Sequence, residues 1–191
     1  HCVCHVPVPR VAAHRSTLRG LGLLGVAVDE RGERGWPCIA DDAVGVDVVA
    51  RGDADPCMPQ LVGGGLVALD KATRYLKERS AFGEPLTTKQ ALVFELADMS
   101  VKLETAHTML MRAADALDRN DPDTVRLCAM AKLVATESGY EAADAALQLH
   151  GGYGYFHEYG VEKLVRDLRV HRILEGSNEI MRMIVGRGLI G

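Results

Sequence analysis

The chain has 191 residues, is 48% hydrophobic and 25% charged, and carries a formal net charge of −4. That length leaves room for one or two domains with a sizeable core. Charges of both signs are spread along it, so there is no basic stripe for nucleic acid, and no apolar run reaches the roughly 18 residues of a membrane span.

The first residue is His1 rather than Met, so the chain reads as a fragment or a processed form, and "HCVCHVPVPR" lacks the apolar core of a signal peptide. Five cysteines, an odd number, disfavour a disulfide-stapled fold and favour a reducing compartment. Residues 1–70 contain no Lys, Phe, Tyr or Asn, and four of the five cysteines (Cys2, Cys4, Cys38 and Cys57) fall there. We leave residues 1–60 unassigned. They show no helical period, only one candidate strand from Gly20 to Val28, and no apolar face whose burial would drive folding. The missing residue types have AT-rich codons, so an out-of-frame reading of a GC-rich gene accounts for the bias as well as a poorly packed β-rich segment does. His1, Cys2, Cys4 and His5 offer thiols and imidazoles, but no further ligands follow at zinc spacing. No metal is therefore expected.

From about residue 61 the pattern becomes helical. Val62, Leu66, Leu69, Thr73 and Leu76 step by four and three, predicting one apolar helix face that stops at Gly83 and Pro85. Leu92, Leu96, Met99, Leu103, Ala106, Leu110, Ala113 and Leu117 form a longer stripe with near-heptad spacing, so a second helix should bury it against at least two others. Thr87 and Gln90 read as a capping box for that helix. In "NDPD", Asp121 is the expected N-cap and Pro122 the first residue of a third helix that runs to about His150. Its stretch "ATESGYEAADAAL" is rich in small residues, which lets a neighbouring helix approach closely, and Gly151 and Gly152 should end it. A fourth helix is expected from about Glu158 to Arg169 and a last one from an N-cap at Ser177. Long helices with short connections predict a mainly α chain, an antiparallel four-helix bundle.

Several residues invite a chemical reading. "QLHGGYGY" is read first as a helix end and turn; the alternative is a backbone approach to a ligand that only glycine permits. It is no dinucleotide fingerprint, since no strand precedes it. His107, His150, His157 and His171 are read as structural, and Cys128 as a small apolar side chain. In "RILEGSNEIMR" a carboxylate, Glu175, follows an apolar approach and precedes a helix start. A buried carboxylate there needs a partner or a task.

Together, "ALDKATRYLKERSAFGEPL", "LQLHGGYGY" and "VEKLVRDLRVHRILEGSNEI", with their spacing, resemble the C-terminal domain of acyl-CoA dehydrogenases over residues 61–191. Within that family the "LEGSNE" loop is most similar to the short branched-chain, isobutyryl-CoA type. The resemblance implies a C-terminal helical bundle, FAD, a homotetramer, and an electron-transferring flavoprotein as the electron acceptor. It implies fatty acid or branched-chain amino acid catabolism, in the cytoplasm, or in the mitochondrial matrix of a eukaryote. Glu175 matches the family's catalytic base, with its amide polarising the thioester carbonyl and with Ile173 and Leu174 keeping water away. Arg79, Phe82 and Gln90 match residues that hold the FAD of a neighbouring subunit. Gln148, Gly151 and Gly152 match the adenosine-side contact, and Ser177 and Glu179 a cofactor contact after the base. Gln90 cannot fully serve both the FAD and a capping box. The family's N-terminal and middle domains have no counterpart in residues 1–60, and "VVARGDADPCMPQ" stands where a CoA-holding arginine segment belongs, so this chain alone is expected to be colourless and inactive. The competing readings are a non-enzymatic helical assembly module derived from this family and a metal-binding regulator built on the first five residues.

Overall fold

A computed structural model of the protein describes residues 58–190. The expectations for residues 1–57, including the strand near Gly20 and the His1–His5 cluster, lie outside the described residues. Five helices make up nearly all of the described chain: α1 (Met58–Glu78), α2 (Gln90–Asp118), α3 (Thr124–His150), α4 (Val161–Val170) and α5 (Asn178–Ile190). The mainly α, bundled architecture is the one expected.

Helix α3 lies at the centre and packs against the other four helices. Helices α2 and α3 run antiparallel: the Thr124 hydroxyl donates to the Ala116 carbonyl near their connection, while Lys102 pairs with Glu141 farther along. Helix α1 lies beside both. The short helices α4 and α5 sit in tandem along α3. Val161, Leu164 and Leu168 of α4 join Leu61, Leu76, Met99 and Leu103 in the larger core. Met181 of α5 closes a smaller one with Ala113, Ala116, Leu127 and Ala131. The α2 stripe is buried as expected, with Met99, Leu103, Ala106 and Ala113 inside and Leu92, Leu96 and Leu110 packed at the edge of the core.

Helix α1 buries Val62 and Leu76 as expected, but it ends at Glu78, ahead of Gly83 and Pro85, and the middle of its stripe differs. Its buried face is Leu61, Val62, Ala68, Ala72 and Leu76, while Leu66 is 39% exposed. The large residues set the apparent period, but small ones make the contact. A Cβ on Gly65 would meet Leu103, and a Cβ on Gly139 would lie 2.7 Å from the Leu61 carbonyl oxygen. The small-residue stretch of α3 thus admits a close neighbour, as its composition predicts.

The connections also correct three local expectations. Helix α2 begins after an extended Lys89 with no side-chain cap, so Thr87 and Gln90 form no capping box. The neighbouring Thr88 hydroxyl instead donates to the Pro85 carbonyl within a short 3₁₀ turn. Helix α3 begins at Thr124, later than Pro122, because the Asp121 carboxylate accepts from the Asp123 N–H in a tight turn before the helix. Helix α4 begins at Val161, after a left-handed Gly160. Between α1 and α2 a hairpin pairs Ser80 with Pro85 and Ala81 with Glu84. Its central residues Phe82 and Gly83 both have positive φ, the pattern of a type I′ turn.

Candidate functional site

Glu175 sits in the loop between α4 and α5, at φ +56°, followed by Gly176 at +84°. A non-glycine residue rarely adopts this conformation unless its surroundings enforce it. The loop is short and closed on itself: the Asn178 N–H donates to the Arg172 carbonyl at 3.0 Å, and the Ile173 N–H to the Val170 carbonyl at 2.9 Å. Ser177 precedes the first residue of α5, and its carbonyl accepts the Met181 N–H at 3.1 Å, which makes it the N-cap as expected.

Helix α3 holds this loop from below. The buried Lys132 ammonium donates to the His171 carbonyl at 2.9 Å, the Gly176 carbonyl at 2.8 Å and Asn178 Oδ1 at 3.0 Å. One turn on, the Thr136 hydroxyl donates to the same Asn178 oxygen. Glu137 then accepts from Asn178 Nδ2 at 3.0 Å and pairs with Arg172 at 2.9 Å and Arg182 at 3.1 Å. Burial pushes the Glu137 carboxyl up, but Asn178 and the two guanidinium groups outweigh it and hold it below the usual carboxylate range. His171 has its pKa lowered by burial first; Glu175 opposes that shift and Lys132 adds to it. Sequence reasoning missed Lys132, Thr136, Glu137 and Asn178. One signal was available: Lys132 interrupts a run of apolar and small residues, where a charge requires partners.

The expected cofactor residues fall into two groups. Arg79, just after α1, stands 5.1 Å above the Tyr153 ring, which brings it to the 151–155 turn. Gln148 lines a groove with Ala91 and Leu92, near Gln90. Gly151 has φ +58°, and added Cβ atoms on Gly151 and Gly152 would meet nothing within 4 Å. The space there is open, and Arg79, Phe82 and Gln90 are all exposed beside the bundle. Phe82 is 97% exposed at the hairpin tip. Ser177 and Glu179 belong to the other group, beside Glu175. The Glu179 N–H and the Ser177 hydroxyl hold the Glu179 carboxyl below its usual range. From Glu137 to Gln148 is roughly 17 Å along α3. An extended, partly anionic cofactor would meet these residues at two places, and the described residues do not gather them into one pocket. Ile173 and Leu174 are 59% and 39% exposed, so the apolar approach to Glu175 faces outward, and the described residues do not supply the expected exclusion of water.

His150 is structural. It stacks on Tyr75 at 4.4 Å, and its Nδ1 lies 2.7 Å from the Ala146 carbonyl. Cys128 is buried, and burial raises its thiol pKa, as for an inert apolar side chain. Among the described residues no group of His, Cys, Asp and Glu could hold a metal ion, and no helix is long and apolar enough to cross a membrane.

The family model described as acyl-CoA dehydrogenase, C-terminal domain, matches residues 57–190. Mitochondrial isobutyryl-CoA dehydrogenase of Bos taurus is 51% identical over 119 residues, covering 62% of this chain and 29% of that one. The CarC subunit of the caffeyl-CoA reductase-Etf complex of Acetobacterium woodii is 40% identical over 131 residues, covering 69% of this chain and 34% of its own length. Butyryl-CoA dehydrogenase from Megasphaera elsdenii superposes with a TM-score of 0.70 at 33% identity, covering 77% of this chain and 38% of that chain. The chain thus spans roughly a third of the length of these relatives.

Proposed function

Because this chain belongs to the acyl-CoA dehydrogenase family through its C-terminal domain, we propose that it supplies the base for α,β-dehydrogenation of an acyl-CoA thioester. The observation that carries this reading is Glu175 itself. A half-buried carboxylate is held at a strained φ of +56° on a short loop whose two ends are fastened to α3. Strain of this kind collects where a side chain must be aimed.

In the proposed reaction the Glu175 carboxylate takes the α-proton of the thioester. The C–H electron pair becomes the new α,β double bond as the β-hydrogen departs as hydride. FAD, when bound, supplies the acceptor for that hydride. The Glu175 N–H is the group proposed to polarise the thioester oxygen, lowering the barrier to enolate formation. A positioned base contributes about 10²- to 10⁴-fold. Arg79 would pair with the cofactor's diphosphate through its fork of N–H donors. Phe82, Gln90, Gln148, Gly151 and Gly152 would line the same part of the cofactor, and Ser177 and Glu179 the part beside the base. The two separate groups suit contacts with two cofactors in a homotetramer, each shared between subunits. A short branched acyl chain is the proposed substrate, on the strength of the "LEGSNE" loop and of Leu174. An electron-transferring flavoprotein is the proposed acceptor, and the proposed location is the cytoplasm, or the mitochondrial matrix in a eukaryote.

A second reading, a helical assembly module without turnover, draws on the exposure of Ile173 and Leu174, since a base in water has no raised reactivity. The test uses a form extended upstream to the length of the relatives. Glu175→Gln keeps the shape and should retain FAD and acyl-CoA binding, yet slow flavin reduction by at least about 10²-fold. Reduction at the parent rate would remove Glu175 from the chemistry. An extended parent that binds no FAD would favour the assembly module.

A further inference from the structure

Lys132 is 3% exposed and lies on α3, outside the loop that bears Glu175. Two of its acceptors are backbone carbonyls on opposite sides of Glu175: His171, four residues before, and Gly176, one residue after. The third is Asn178 Oδ1, in the first turn of α5. An ammonium has three N–H groups, and each can meet one of these oxygens. Docking α5 against the bundle also draws on Met181, with Ile180 and Ile184 packed beside it. The loop needs these bonds. Glu175 and Gly176 have successive positive φ values, and a short loop with such a residue keeps its shape only where its surroundings over-determine it.

We propose that Lys132 is the positioning residue for Glu175: its buried ammonium clasps the loop backbone on both sides of the carboxylate and sets its conformation, while Thr136 and Glu137 lock Asn178 behind it. The inference rests on Glu175 being the base for its catalytic meaning, but the clasp can be tested without catalysis. In the 191-residue chain, Lys132→Met removes the donors and keeps most of the volume. Amide exchange across residues 172–178 should then speed up by at least about tenfold, with the amides of α1 and α2 changing by less than about twofold. His171 should titrate at higher pH, because a cation that disfavours its protonation is gone and the released loop is better hydrated. Lys132→Gln, which keeps a shorter donor, should fall between parent and Lys132→Met. Thr136→Val, which loses the bond to Asn178 but leaves the clasp, should speed loop exchange by clearly less than Lys132→Met does.

In the form extended to the relatives' length, Lys132→Met should slow flavin reduction by at least about tenfold while acyl-CoA affinity changes by less than about twofold. Unchanged loop exchange and an unchanged His171 titration in Lys132→Met would overturn the proposal. So would equal loss of protection in α1, α2 and the loop in both Lys132 variants, which would assign Lys132 to general stability. If Glu175→Gln reduces its flavin at the parent rate while Lys132→Met still frees the loop, the clasp stands and the catalytic reading falls.

Discussion

A Cβ built on Gly139 would lie 2.7 Å from the carbonyl oxygen of Leu61, so α1 and α3 meet backbone to backbone. Real Cβ contacts are not that short, and the opposing atom is main chain, which cannot swing aside. Gly139→Ala should therefore push the helices apart and cost about 1–3 kcal/mol. Gly63, on the same α1 but with nothing within 4 Å of an added Cβ, gives the contrast. Gly63→Ala should stabilise the chain by about 0.5–1 kcal/mol, as glycine is unfavourable in a helix interior. Urea melts of both variants against the parent check the pair. A neutral Gly139→Ala would refute the close approach.

Leu103 is 1% exposed and is the side chain that would meet a Cβ on Gly65. It belongs to the core that also holds Leu61 of α1 and Ala142 of α3. Leu103→Ala should cost about 2–5 kcal/mol, whereas Val101→Ala, on the 65% exposed outer face of the same helix, should stay within about 0.5 kcal/mol. The two midpoints in one denaturant series decide it.

Burial lowers the pKa of both His150 and His171 below 6.5. The unfolded chain then binds more protons than the folded one just below that value, so stability falls with acidification. The loss begins near the unfolded value of about 6.5 and continues down to the folded values. Chemical denaturation at about pH 7.5 and about pH 5.5 should show the lower stability at the acid end. Glu175→Gln should lower the His171 midpoint further, because Glu175 is the carboxylate that favours its charged form. Proton NMR of the imidazole carbons reads both.

Phe82 has φ +56° and is 97% exposed, so among the described residues nothing packs on its ring to offset that conformation. Phe82→Asn would create an Asn-Gly pair at the centre of the type I′ turn, the preferred sequence there. The described bundle should gain a few tenths to about 1 kcal/mol. In the extended form the same change should weaken FAD binding if Phe82 contacts the cofactor, seen as loss of bound flavin on gel filtration. A gain in stability with no loss of flavin would leave Phe82 without a role in cofactor binding.

Much of the bundle was legible because it is recorded in local spacing. The stripe from Leu92 to Leu117 is buried as its period requires, and α3 ends at His150 with a positive-φ Gly151 behind it. The helix starts were less legible. Asp121, Thr87 and Gln90 carry the right chemistry for caps, but Asp121 and Thr88 spend it on turns just upstream, a choice among near-equal local bonds. The cofactor residues carried over from the family's motifs divide between the middle of α3, near Glu137, and its C-terminal end, which spacing along the chain does not reveal.

By itself, the sequence determined which segments are helices, where α3 stops, and that Glu175 stands between an apolar approach and a helix start. These depend on neighbours within a turn or two, and near-neighbour chemistry is written in order along the chain. Only the tertiary structure decided which face of α1 is buried, that Ile173 and Leu174 point outward, and that Lys132, thirty-nine residues before His171, clasps the loop. Each of these depends on which backbone a side chain meets across the bundle. A small residue or a lone lysine acquires its meaning from that distant partner, and no local period records it.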